Sequence, residues 1–137
     1  MNEKTAIRVR DVMHNRFFRV DGMTTVDQAL RRLKESRATV LIIQKRDEHD
    51  EHGLVLLADI ARKVLSKNRA PDRVNVYEIM NKPALAVRPD MQVKYCARLL
   101  DQFDLTTAPV IDSAGEVIGI VDYDHLVMGG LADLDEQ

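Results

Sequence analysis

Apolar residues recur at Val26, Ala29, Leu30 and Leu33, the i, i+3, i+4, i+7 spacing of a helix with one buried face, and again at Val93, Cys96, Ala97 and Leu100. Thr24 or Thr25 before the first segment, and Asp90 before the second, can accept hydrogen bonds from the free N–H groups of a helix start. Behind each helix lies a short apolar run, "TVLIIQ" or "APVID", then a polar turn and a second apolar run, "GLVLL" or "EVIGIV". This pattern predicts two hairpins, with "DSAGE" supplying the turn residues of the second. A further helix is expected after each hairpin, over "DIARKVLSK" with Asp59 at its start and over "DHLVMGGL".

The two halves are one pattern written twice. Met13 matches Met80, Val20 matches Val87 and Val26 matches Val93 at a constant offset of 67; the offset is 68 at "LII" against "PVI" and 66 at Gly53 against Gly119. Such small changes belong in loops. The expected fold class is α+β, with the order strand, helix, strand, strand, helix (βαββα) occurring twice. The repeats span 7–68 and 74–131, with 69–73 as linker and 1–6 and 132–137 as tails. Each copy leaves an apolar sheet face that its own helices cannot cover, so docking of the copies about a pseudo-two-fold axis, with a cleft on either side, is expected.

Composition narrows the function classes. At 137 residues and 45% hydrophobic content the chain can bury a core without disulfides or metals. Its one cysteine, Cys96, falls on an apolar helix face and reads as a small buried thiol. No apolar run approaches the roughly 20 residues of a bilayer-spanning helix, and "MNEKTAIRVRD" lacks the apolar centre of a signal peptide. The expectation is therefore a cytoplasmic protein without a membrane role. The net charge of -2 conceals an asymmetry: residues 1–70 carry 15 Lys and Arg against 10 Asp and Glu, and the remainder 5 against 12. With 4% aromatics and no persistent basic stripe, nucleic acid is not the expected partner.

The openings "DVM" and "EIM", the strand "APVID", and "GLVLLAD" and "GIVDYDH" together make the chain resemble the tandem CBS-domain family, paired cystathionine-beta-synthase-type repeats, from about Ile7 to Leu131. The last two stand in the place of the family's Gly-apolar-apolar-Ser/Thr-x-x-Asp signature. The resemblance implies a regulatory module, not an enzyme, whose clefts can take adenosine-containing ligands such as AMP, ATP, NAD or S-adenosylmethionine. In that family the signature Asp accepts the ribose hydroxyls and the Ser/Thr hydroxyl contacts phosphate.

Carried over by position, the first cleft has Asp59 at the ribose, with Leu54, Leu85, Leu105, Thr106 and Thr107 around the base. Leu56 replaces the hydroxyl and Ala58 precedes the Asp, so the sugar contact is kept and the phosphate contacts are lost. The second cleft would use Phe18, Arg37, Ala38 and Thr39 with Ile120, Asp122 and His125. There Asp122 takes the hydroxyl position, Asp124 follows, and His125 stands where the ribose Asp belongs. Two carboxylates repel a polyphosphate, so this cleft is empty, takes another ligand, or changes with protonation of His125.

The family resemblance also implies a homodimer, and the oppositely charged halves favour a head-to-tail one. Because the chain shows no effector segment, the regulated partner is expected to be another, unidentified protein. The rival expectation is a ligand-free scaffold with degenerate clefts. No arrangement of Ser, Cys and His suggests a nucleophile. His49 and His52 in "KRDEHDEH" invite a metal reading, but a solvated hairpin loop explains them and no metal site is expected. Gly129 and Gly130 are expected to end or fray the last helix.

Overall fold

The computed structural model describes residues 6–82 and 84–131. The elements run α1 (Val9–Val12), β1 (Phe17–Val20), α2 (Val26–Ser36), β2 (Val40–Ile43), β3 (Gly53–Leu56), α3 (Leu57–Ile60), α4 (Val93–Gln102), β4 (Thr107–Ile111), β5 (Val117–Asp122) and α5 (Tyr123–Gly130). Helix α3 widens into a π turn over Ala61–Leu65, and two 3-10 turns, Pro71–Arg73 and Val76–Glu78, follow. The α+β class is as expected.

Two compact units result, and they are cut differently from the repeats: Arg16–Ala84 forms one, while the described residues up to Asn15 join those from Leu85 onward in the other. The segment that opens each repeat thus packs with the other repeat's hairpin. In the Arg16–Ala84 unit, Met80 lies against Gly53, where an added Cβ would sit 2.5 Å from its Sδ; in the other unit Met13 takes the same place over Gly119, at 2.7 Å.

The Arg16–Ala84 unit is a three-stranded sheet in the order β1-β2-β3. Strand β1 runs parallel to β2 through the α2 crossover, and β2 and β3 form an antiparallel hairpin with Val40 opposite Leu56. All of β2 is buried, as a continuous apolar strand requires. Val26, Ala29 and Leu33 of α2 pack with Val20, Leu41, Val55, Val74, Val76 and Ile79 in one core. Thr25 caps α2: its Oγ1 accepts from the Gln28 N–H at 3.1 Å while Gln28 Oε1 accepts from the Thr25 N–H at 3.0 Å, a reciprocal box worth about 1 kcal/mol.

In the second unit β4 and β5 pair antiparallel, with a bulge between Val110 and Ile111, and pack with Val9, Val12, Cys96, Leu100 and Leu126. The turn is built as expected from its residues: Asp112 Oδ1 accepts from the Ala114 and Glu116 N–H groups, and Gly115 takes a φ of 81°.

Two expectations are corrected here. The first strand of the second repeat shrinks to a single parallel bridge, Val87 to Val110. Pro89 has no N–H with which to extend that ladder, and its carbonyl, like that of Met91, is taken by the N–H groups of Arg10 and Val9. Asp90 does not cap α4. Gln92 is the capping position and its side chain makes no cap bond; the Ile7 carbonyl accepts from the Val93 N–H instead, as the Val74 carbonyl does from Val26 in the other unit. Helix α5 ends at Gly130, so the glycine pair closes the helix rather than fraying it, and Gly129 lets its last turn approach Val12.

Candidate functional site

Asp59 does not start α3 but is its third residue, and it is 2% exposed. Strand β3 runs directly into the helix at Leu56, whose N–H would be left open at the turn; Asp59 bends back so that its Oδ2 accepts that N–H at 2.8 Å. The same Oδ2 accepts from Asn81 Nδ2 at 3.1 Å. Asn81 is pinned in turn by a backbone bridge to Leu54, with N to O distances of 2.8 and 2.9 Å. The other oxygen, Oδ1, faces the Arg62 guanidinium at 3.7 Å. A carboxylate with one oxygen locked and the other turned to a cation keeps lone pairs for an incoming hydroxyl.

At the corresponding place in the second unit the carboxylate has moved. Asp122 is the capping residue of α5, and its Oδ1 accepts from the His125 N–H at 2.8 Å. The His125 ring Nδ1 lies 2.8 Å from that oxygen, and His14 Nε2 lies 3.2 Å from Oδ2. His14, the counterpart of Asn81, is fixed by its own backbone bridge to Ile120. Burial alone would raise the Asp122 pKa, but the His125 N–H, the His125 ring and the His14 ring outweigh it and hold the carboxyl below its ordinary value. The Asp-to-His exchange at 59 and 125 is therefore one half of a relocation: one unit caps its helix with a carboxylate reaching back from inside the helix, the other with one reaching forward from before it.

The remaining expected residues fall in both units. Leu54 belongs with Asp59, whereas Leu85, Leu105, Thr106 and Thr107 lie in the second unit, where the two threonine Oγ1 atoms are 3.3 Å apart. Phe18, Arg37, Ala38 and Thr39 belong to the Arg16–Ala84 unit, and Ile120, Asp122 and His125 to the other. Arg37 is exposed and takes a φ of 58° where α2 ends. A cation that the sequence reading missed stands beside Phe18: the Arg32 guanidinium lies 4.2 Å from the ring centre. An aromatic followed 14 residues later by a helical Arg gives no sign of this in one dimension.

The mostly exposed loop over 45–52 is organised by a charge. Asp50 accepts from the Arg46 N–H at 2.8 Å and pairs with Lys82 Nζ at 2.6 Å. Lys82 first, and then the Arg46 backbone, hold its carboxyl well below the usual carboxylate range. His49 is exposed beside Glu48. The loop, with Gly22, Tyr77 and Met80, borders a cavity of about 700 Å³ in the Arg16–Ala84 unit.

Among the described residues no helix is long and apolar enough to cross a membrane. The family model described as the CBS domain matches twice, at residues 9–66 and 76–129. An uncharacterized protein of Methanopyrus kandleri is 31% identical over 98 residues, 72% of this chain and 49% of its own length. The magnesium transporter MgtE of Thermus thermophilus is 33% identical over 110 residues, 78% of this chain and 23% of the transporter, so the chain spans about half or less of these two relatives. A hexameric CBS-CP12 protein from bloom-forming cyanobacteria superposes with a TM-score of 0.88 at 32% identity, over 97% of this chain and 72% of that one. The cytosolic domain of the Mg2+ channel MgtE in complex with ATP superposes with a TM-score of 0.66 at 29% identity, over 85% and 46%. The twofold match, laid over two hairpin-and-helix units whose opening segments are exchanged, shows that this chain belongs to the CBS domain family as a tandem pair.

Proposed function

We propose that the chain is a regulatory module that binds an adenosine-containing nucleotide and, as a homodimer, passes the change in occupancy to a partner protein. The observation that carries this reading is Asp59: a buried carboxylate on a strand-to-helix turn, held rigid by the Leu56 N–H and the Asn81 amide, with Oδ1 left to accept sugar hydroxyls. Leu54, whose backbone bridges to Asn81 beside this carboxylate, would lie next to the base. The ATP bound to the MgtE cytosolic domain supports the ligand class. Regulation follows if the nucleotide has different affinity for two arrangements of the protein, since only differential binding shifts an equilibrium.

Leu56 and Ala58 offer no hydroxyl where phosphates would lie, so affinity rests on the nucleoside. Calorimetric titration with adenosine, AMP, ATP, NAD and S-adenosylmethionine tests this. Binding should weaken by about 1.5–3 kcal/mol in Asp59→Ala, the usual value of a hydrogen bond to a charged group. No heat from any of the five in the wild-type protein would reject the reading in favour of a ligand-free scaffold.

A further inference from the structure

We propose that His14, Asp122 and His125 form a binding site for a divalent transition ion, with Zn2+ as its probe, independently of the nucleotide reading. Each residue offers one ligand atom, and the three atoms lie within 4.8 Å of one another. Two imidazole nitrogens and one carboxylate oxygen suit Zn2+, Ni2+ or Cu2+ rather than Mg2+ or Ca2+, which take all-oxygen shells.

The backbone holds all three in place. His14 is clamped to Ile120 by hydrogen bonds of 2.8 and 2.9 Å, Asp122 ends β5, and the His125 N–H is tied to Asp122 Oδ1 at 2.8 Å. The two rings already converge on one carboxylate, with centroids 4.4 Å apart and planes tilted by 34°. Ligand atoms around a tetrahedral ion with bonds of about 2.0–2.1 Å are separated by about 3.4 Å. Small side-chain rotations would open the present 2.8 and 3.2 Å contacts to Asp122 and draw the remaining ligand atoms, now within 4.8 Å, toward that value. The ion replaces the N–H contacts that each ring now makes to Asp122. The His125 side chain is 39% exposed and that of His14 10%, so the ion has an entry side and a position left open for water.

The other unit serves as an internal control. At the matching positions it carries Asn81, Leu56 and Asp59, so the same scaffold folds without two imidazoles. This makes His14→Asn a substitution that the architecture already accepts elsewhere.

The test is Zn2+ titration of the full chain against a chromophoric chelator, with thermal melts in parallel. One Zn2+ per chain is expected, raising Tm, with affinity reduced at least tenfold in both His14→Asn and His125→Ala and unchanged in His49→Asn. If His14→Asn does not fold, His125→Ala, on the exposed side of the site, carries the comparison. Absence of Zn2+ binding at micromolar protein, binding that survives both site variants, or binding lost in His49→Asn would overturn the proposal.

Discussion

Asn81 Nδ2 donates to Asp59 Oδ2 at 3.1 Å, joining the opening segment of the second repeat to the strand-to-helix turn of the first. The orientation of the proposed ribose acceptor thus depends on a residue that the repeat boundary assigns elsewhere. In Asn81→Ala the carboxylate keeps the Leu56 N–H on Oδ2 and the Arg62 guanidinium facing Oδ1. The nucleotide Kd should rise about 2- to 12-fold, the equivalent of roughly 0.5–1.5 kcal/mol, less than in Asp59→Ala. Calorimetry on both variants checks this, and an unchanged Kd would mean that the backbone donor suffices.

Gly129→Ala sets two effects against each other. Helix propensity favours Ala by about 1 kcal/mol, but the new Cβ would stand 3.1 Å from Val12 Cβ and closer still to Cγ1. Valine cannot turn its branched carbon aside cheaply, and overpacking costs about 1–3 kcal/mol. A net loss of stability is expected, and a denaturant double-mutant cycle with Val12→Ala should show the two changes partly cancelling. Additive effects would exclude the contact as the cause.

Asp50 lends stability with a definite pH window. Its carboxyl is held below its ordinary value of 3.8 chiefly by Lys82. The contribution is therefore complete above that value and fades as pH falls toward the lower folded pKa. Wild type should melt above Asp50→Asn at neutral pH, with the gap closing progressively below about pH 4. A gap that stays constant under acid would show that the pair contributes through packing rather than charge.

Cys96 is fully buried, and burial pushes its thiol up to about 11. At pH 8 little thiolate exists in the folded protein. Alkylation by iodoacetamide should be at least about a hundredfold slower than in denaturant, because the thiolate is the reacting form. Fast labelling of the native protein would reveal local opening of α4.

Much of this architecture was legible in one dimension. The repeat offset found both copies, and the helical spacing found α2 and α4, because a buried face must recur every 3.6 residues whatever it packs against. Thr25 and the "DSAGE" turn were equally plain, since caps and turns bind their own neighbours in sequence. The strand at Val87 was not, because Pro89 withdraws a donor whose importance depends on which chain runs alongside. Asp90 misled for a similar reason: the Ile7 carbonyl serves the first N–H of α4 from 86 residues away.

The amino-acid sequence by itself determined that the pattern occurs twice and where the Thr25 cap, the "DSAGE" turn and Asp59 lie. These depend on periodicity and on bonds within a few residues. Only the tertiary structure decided that each opening segment packs with the other copy's hairpin. That exchange brings Asn81 to Asp59 and His14 to Asp122, across 22 and 108 residues. Local propensity carries no information about such contacts, because they form only when the folded units close over buried apolar surface.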